Sequence, residues 1–308
     1  MLKNLARHNK INIQDSSKPS HDENQYLLLI KEILENGTME TGRNGKALTV
    51  FGAAMHFSLE NNTIPFLTTK KLAWKTCLRE LLWFIRGQTN NNILREQNVH
   101  IWDANGSREF LDSRGLNYEE NDLGPIYGHQ WRHFNAEYTD CNADYTDKGV
   151  DQLAYIINSL KNPKERNSRR LVMSAWNPCQ LNNMALPPCH ILCQFNVKDG
   201  NKLSCSLYQR SVDLCVGSPI NIASYSFLTH LIAHHCDLIA DEFVYYMGNV
   251  HIYEQHINGA KEQILREPLQ FPKISIKNKH DDINDYNLDD FEISNYECCP
   301  VIKFEMIA

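Results

Sequence analysis

Two consecutive prolines stand before a cysteine and an apolar run. The stretch reads Met184-Ala185-Leu186-Pro187-Pro188-Cys189-His190, then Ile191-Leu192-Cys193-Gln194-Phe195. Proline fixes φ and carries no N–H, so the pair gives a stiff, non-helical approach to a strand. That strand, Ile191 to Val197, faces a second, Leu203 to Tyr208, across Asp199-Gly200-Asn201, a hairpin signal. Cys189 thus sits at a strand mouth with little backbone freedom, which makes it a candidate nucleophile. As one of ten cysteines it is otherwise a buried core residue.

The remaining elements follow from periodicity. Tyr26 to Leu34 has helical spacing and stops at Asn36-Gly37. Ala47 to Leu59 is strand-like. Lys70 to Ile85 reads as a helix with Leu72, Trp74, Leu78, Leu81, Leu82 and Ile85 on its apolar face, ended by Gly87. Ala104 to Asn121 reads as a polar surface excursion, and Asn135 to Gly149 as a mobile loop. Val150 to Leu160 is a helix, Arg169 to Trp176 a strand, and Ile222 to Cys236 a helix apolar nearly all round. Phe243 to Met247 is a strand and Tyr253 to Leu265 a helix; short strands and acidic turns follow. Residues 1–24 are polar and are expected to form a flexible tail, with one α+β domain over residues 25–308.

Composition narrows the function. The chain has 308 residues, and no run approaches the ~20 apolar residues of a membrane span. The start of the chain has no apolar signal core, and ten cysteines without a CxxC pair fit a reducing compartment, so a cytoplasmic protein is expected. A net charge of −6 argues against non-specific nucleic-acid binding. His230 and His234 are four apart, but no Glu follows His230. They read as surface or interface histidines, and no metal is expected.

Several polar groups could serve the thiol. Gln209-Arg210-Ser211-Val212-Asp213 follows the second hairpin strand; Arg210 and Ser211 side by side suit one anion. Arg43, Arg169 and Arg170 are further arginines for a phosphate dianion. Asn221 is read either as a helix cap or as a pyrimidine-edge reader, because an amide both gives and accepts. Glu80, within Leu78-Arg79-Glu80-Leu81-Leu82-Trp83, is either exposed beside Arg79 or buried with a raised pKa that suits proton transfer. His251 and Tyr253 alternate along an extended stretch and face one side, as a shared sugar hydroxyl would require.

These motifs come in the order found in thymidylate synthases. Ala185-Leu186-Pro187-Pro188-Cys189-His190, Gln209-Arg210-Ser211, Asn221-Ile222-Ala223-Ser224-Tyr225, Glu80-Leu81-Leu82-Trp83-Phe84, and Leu123-Gly124-Pro125 with Tyr127-Gly128 resemble that family from about Tyr26 to Ala308. Trp102-Asp103-Ala104-Asn105-Gly106 and Gln130-Trp131-Arg132-His133-Phe134 resemble its eukaryotic branch. The resemblance implies a large mixed β-sheet flanked by helices, with sheets stacking in a homodimer. It implies reductive methylation of dUMP to dTMP, with 5,10-methylenetetrahydrofolate as one-carbon and hydride donor and dihydrofolate released.

The roles the resemblance implies are specific. Cys189 attacks the pyrimidine, helped by Arg210; Glu80 and Tyr127 serve proton transfer; Asn221 reads the base. Arg43, Gln209, Arg210, Ser211, His251 and Tyr253 bind the nucleotide, with Arg169 and Arg170 reaching in from the second subunit. Asp213 bonds the pterin. Trp102, Asn105 and Gly217 line the folate site, and the Ala308 carboxylate closes over it.

Three stretches depart from the family pattern. Gly42-Arg43-Asn44-Gly45-Lys46-Ala47 is one residue short of the usual phosphate loop, Ile220 replaces a Phe, and Gly248-Asn249 stands for Gly-Asp. No room is expected before Tyr26 for a fused reductase. The rivals are a deoxyuridylate hydroxymethyltransferase on the same scaffold, a thiol hydrolase pairing Cys189 with His190, and an inactive nucleotide- or RNA-binding scaffold. Trp102 as an apolar wall argues against the first. For the second, neighbours on a strand point to opposite faces. The third would have no need of Cys189, Glu80 and Asn221 together.

Overall fold

A computed structural model describes residues 21–307. In chain order the elements are α1 (Asn24–Asn36), β1 (Thr38–Gly42), β2 (Gly45–Ser58), α2 (Trp74–Ile85), α3 (Asn91–Arg95), α4 (Asp103–Gly106), α5 (Arg108–Ser113), α6 (Tyr127–His133), α7 (Gln152–Lys161), β3 (Val172–Ser174), β4 (His190–Lys198), β5 (Lys202–Asp213), α8 (Gly217–His235), β6 (Ile239–Tyr253), α9 (Ile257–Gln263), β7 (Lys273–Ile276) and β8 (Phe291–Ser294).

Six strands form one sheet in the order β1-β2-β6-β5-β4-β3. Only β5 and β6 run parallel, so the sheet is mixed, as expected. A parallel pair needs a crossover, and α8 supplies it. The helix is apolar on every side because the sheet lies on one flank and α2 on the other. Two of its buried hydroxyls are satisfied locally: Ser226 donates to Ile222 O and Thr229 to Tyr225 O. The β4–β5 hairpin turns at Asp199 and Gly200, both at positive φ. Alternate residues Cys193, Phe195, Leu203, Cys205, Leu207, Phe243 and Tyr245 face the core.

Among the described residues, nothing covers the side chains on the opposite face of the sheet. Tyr208 and Tyr246 are direct cross-strand partners, 36% and 46% exposed; Leu192 pairs with Tyr208, and Val172 lies beyond it at 39%.

Several boundaries differ from the sequence reading. The second helix begins at Trp74, not Lys70, because the preceding residues are held by tertiary bonds: the Lys70 ammonium to Cys215 O and Leu72 N–H to Tyr296 Oη. The charged start of Arg169–Trp176 is not strand; β3 spans three residues, and Arg170 N–H turns back to Ser168 Oγ. Gln209 to Asp213 lie within β5 rather than after it, and β6 extends well beyond Phe243–Met247. The helix expected from Tyr253 is a 3-10 turn followed by the shorter α9.

The segment Ala104–Asn121 is no polar excursion. It contains α5, and Asn105, Leu111 and Asn121 are buried. Asn91 Nδ2 ties Asp103 and Asn121 together, which a sequence window does not see. The Asn135–Gly149 stretch lacks helix and strand, but a Phe134–Val150 bridge closes it and Tyr138 is bonded to Asp122.

Ordered structure also begins before residue 25. Glu23 is fully buried, its carboxylate accepting from the backbone N–H and hydroxyl groups of Thr68 and Thr69. The rest of the expected tail, residues 1–20, lies outside the described residues. Among those described, no helix is long and apolar enough to cross a membrane.

Candidate active site

The proline pair does what its chemistry requires. Pro187 and Pro188 carry no N–H, but their carbonyls accept from Arg210 NH2 at 2.9 Å and Arg210 Nε at 2.8 Å. The Arg210 guanidinium also lies 5.5 Å from the Trp176 ring centroid. Arg210 N–H donates to Cys189 O, and Cys189 N–H donates to Tyr127 Oη at 2.8 Å. Cys189 is therefore fixed from both sides. Burial pushes its thiol pKa up; the charges of Arg210 and then Arg43 pull the other way without overcoming burial. Both arginines favour the thiolate form, but burial outweighs them, so the group rests as a thiol.

Tyr127 accepts from Cys189, which leaves its own proton free of any acceptor among the described residues. Burial raises its pKa well above the ordinary phenol value, so it remains a donor. His190 stacks on Tyr127 with ring centroids 4.0 Å apart, and its Nδ1 is 2.8 Å from Tyr225 Oη. Burial lowers its pKa to about 3. It is neutral, engaged by Tyr225 and Tyr127, and among the described residues has no bond to the sulfur, which argues against the hydrolase pairing.

The structure decides between the two readings of Glu80: it is buried in α2. Burial pushes its pKa up to about 7, opposed by a 2.7 Å hydrogen bond from Trp102 Nε1. A carboxyl at that value exchanges protons near neutrality. Trp102 is thus bonded to the acid itself.

Asn221 does not cap α8. The helix begins at Gly217, putting Asn221 in its second turn. Gln209 Nε2 donates to Ser211 O, which turns Gln209 Oε1 toward two donors, Tyr245 Oη and Asn221 Nδ2, each at 2.6 Å. Asn221 must therefore present its NH2 to Gln209. One N–H and the carbonyl oxygen remain, the donor–acceptor pair that a uracil edge complements.

His251 and Tyr253 do share a face at the end of β6, with ring centroids 5.0 Å apart. His251 Nδ1 lies 3.0 Å from Asn249 Oδ1, so the Asn at the unusual Gly248-Asn249 position orients the ring. Arg43 occupies the exposed turn between β1 and β2, where its Nε donates to Asn44 Oδ1. Arg169 and Arg170 are exposed just before β3, at the edge of the uncovered sheet face; one chain does not bring them to Cys189.

Asp213 ends β5, its Oδ1 accepting from Cys215 N–H and Val216 N–H. Gly217 opens α8. Asn105 is buried, and its Nδ2 has no partner among the described residues. Ala308 lies outside the described residues. Sequence reasoning missed Trp176, His190 in its stacking role, and Tyr245. Only Tyr245 had a signal, the alternation along β6.

Of the remaining sequence readings, His230 is buried and bonded to Thr63 O, while His234 faces Asn278 O, so the two do not converge. All ten cysteines are free.

Fold and cluster together define an α+β enzyme scaffold built around a thiol. The thymidylate synthase family model matches residues 24–308. "Thymidylate synthase 1/2" of Encephalitozoon cuniculi is 50% identical over 94% of this chain and 99% of its own length. "Probable thymidylate synthase" of Schizosaccharomyces pombe is 52% identical over 92% of this chain and 47% of its own. "Bifunctional dihydrofolate reductase-thymidylate synthase" of Plasmodium berghei is 50% identical over 99% and 52%. The chain belongs to the thymidylate synthase family. It spans about half the length of the Schizosaccharomyces and Plasmodium relatives. Nothing in these matches favours a hydroxymethyltransferase.

Proposed function

We propose that this chain catalyses the reductive methylation of dUMP to dTMP through a covalent bond between Cys189 and the pyrimidine. The observation that carries this reading is the Gln209 network. It sets Asn221 with one donor and one acceptor free, in the same cluster as a fixed thiol and a carboxyl with a pKa of about 7.

Cys189 sulfur adds to carbon 6 of the uracil, its proton passing through water to solvent, and the electron pair moves onto carbon 5 and the ring carbonyl. Asn221 donates to that carbonyl and accepts the ring N–H, so it gains strength as charge develops. Arg210 stabilises the thiolate as it forms. Glu80, through water, accepts the carbon 5 proton, and Tyr127 positions that water. His251 and Tyr253 hold the ribose hydroxyl. Arg43, Arg210 and Ser211 hold the phosphate, with Gln209 beside them.

Methylenetetrahydrofolate, when bound, supplies the carbon and the hydride. The residues fit it: Asn105 Nδ2 is a buried donor without a partner, and Asp213 uses one carboxylate oxygen, leaving the other for a pterin N–H. Trp102 and Gly217 line that side, and the terminal Ala308 carboxylate closes it.

The active unit is a homodimer in the cytoplasm. The uncovered Val172, Leu192, Tyr208 and Tyr246 face supports stacking of two sheets. Arg169 and Arg170 border that face and reach the phosphate of the partner subunit's nucleotide. Residues 25–308 form the catalytic domain and need no metal for this chemistry.

The test is direct. Purified protein with dUMP and methylenetetrahydrofolate is expected to release dihydrofolate, read by absorbance, with one dTMP per dihydrofolate by mass. A product one oxygen heavier, or no product, overturns the reading.

A further inference from the structure

Asp213, Cys215 and His256 come together at the base of the C-terminal segment, each offering a ligand atom within 4.8 Å of the other two. His256 is 2% exposed, and its Nδ1 is buried without a hydrogen-bond partner, 3.9 Å from Asp213 Oδ1. Its Nε2 lies 2.8 Å from Glu305 O. A carbonyl only accepts, so Nε2 carries a proton, and in the neutral tautomer the Nδ1 lone pair is directed into the cluster. An imidazole that gives one N–H to a carbonyl and keeps the other nitrogen bare is oriented as metal-bound histidines are. Asp213 is likewise held by the N–H groups of Cys215 and Val216, and Cys215 O by the Lys70 ammonium.

We propose that Asp213, Cys215 and His256 bind a zinc-class divalent ion. One carboxylate oxygen, one sulfur and one imidazole nitrogen suit a borderline-soft tetrahedral ion and not the all-oxygen preference of calcium or magnesium. The fourth position is left to water. Binding transfers the Cys215 proton to solvent and leaves a thiolate ligand.

The ion couples two parts of the molecule. Through His256 it fastens the C-terminal segment, because the imidazole meets Phe304 edge-on at 5.3 Å and Phe304 covers the Lys70 ammonium at 4.5 Å. Gly259 permits that packing: a Cβ there would stand 2.7 Å from the Phe304 ring. Through Asp213 it engages the carboxylate assigned above to the pterin. Zinc therefore inhibits by raising KM for the folate while leaving dUMP binding intact. This inhibitory consequence rests on the folate reading of Asp213; the binding site itself does not.

Crystals of the full chain soaked in zinc alone test the site without relying on turnover. Anomalous density is expected between the three residues, at roughly 2.3 Å from Cys215 Sγ and roughly 2.0–2.2 Å from His256 Nδ1 and an Asp213 oxygen. Titration against a chromophoric chelator is expected to give one tight zinc per chain. Cys215→Ser and His256→Gln should each weaken it by more than the roughly 10–100-fold that losing an outer-shell partner costs. Cys179→Ser, which removes an exposed thiol, should leave it unchanged. Absence of anomalous density at the trio, or zinc affinity in both ligand variants equal to that of the parent, overturns the proposal. Loss of zinc inhibition with the site still occupied would count against the role of Asp213 and not against the site.

Discussion

Around Gln209, the hydrogen bonds are made within one chain: Ser211 O, Asn221 and Tyr245 account for both ends of its amide. Around Arg43, Arg169 and Arg170 the opposite holds. Among the described residues the Arg43 side chain has one bond, to its neighbour Asn44, and the other two side chains have none. On the proposed reading, the base end of the site is finished before any ligand arrives, while the phosphate end is left to solvent. A neutral amide must be oriented in advance, since a wrong rotamer presents the wrong pattern. A guanidinium carries its charge in every rotamer, so it can wait in water for its anion.

The sharpest break of this contrast is at the thiol. Cys189→Ala is expected to lower kcat by at least about 10⁴-fold while dUMP binding, measured by calorimetry, persists. Full activity would end the covalent reading. Next comes Glu80→Gln, with an expected loss of about 10²- to 10⁴-fold in kcat. The parent enzyme should gain activity as pH rises through about 7, where Glu80 loses its proton, and the variant should lack that limb. Stability follows with a definite sign. Because burial holds Glu80 above the ordinary value of 4.5, the unfolded chain ionises first. Its favourable contribution is full below about 4.5, falls as pH rises toward 7, and is level beyond. Glu80→Gln should flatten that slope in denaturant titrations.

At the other end, Arg170→Ala should raise KM for dUMP by roughly 10- to 100-fold, the worth of a charged hydrogen bond, with kcat nearly kept. If the arginine acts across subunits as proposed, mixing this variant with an inactive Cys189→Ala protein should recover sites of parental KM in mixed dimers. Unaltered KM would remove the arginines from the phosphate site. The smallest effect is expected at Trp102→Phe. Loss of its hydrogen bond should move the Glu80 limb up by about one pH unit, read from the pH dependence of kcat.

The residues legible in the sequence were those whose local chemistry allows little else. Pro187-Pro188 fixed the approach to Cys189, Asp199-Gly200 the hairpin, and the all-round apolar pattern the burial of α8. Glu80 was evenly divided between two environments, because a helix window does not say what packs on its second face; Trp102 decided it. Asn221 was open between a cap and a base reader; the cap reading fails because α8 begins at Gly217, with Pro219 tolerated in its first turn, where N–H groups have no partners anyway.

By itself the sequence determined the strand, hairpin and buried helix that carry the nucleophile, and through its ordered motifs the family. Periodicity and backbone stereochemistry act over a few residues and need no knowledge of the fold. Tertiary structure alone decided the protonation of Glu80, the orientation of Asn221 through Gln209, the exposure of one sheet face, and the meeting of His256 with Asp213 and Cys215. Each depends on desolvation or on a partner distant in sequence, and those arise only when the chain has closed on itself.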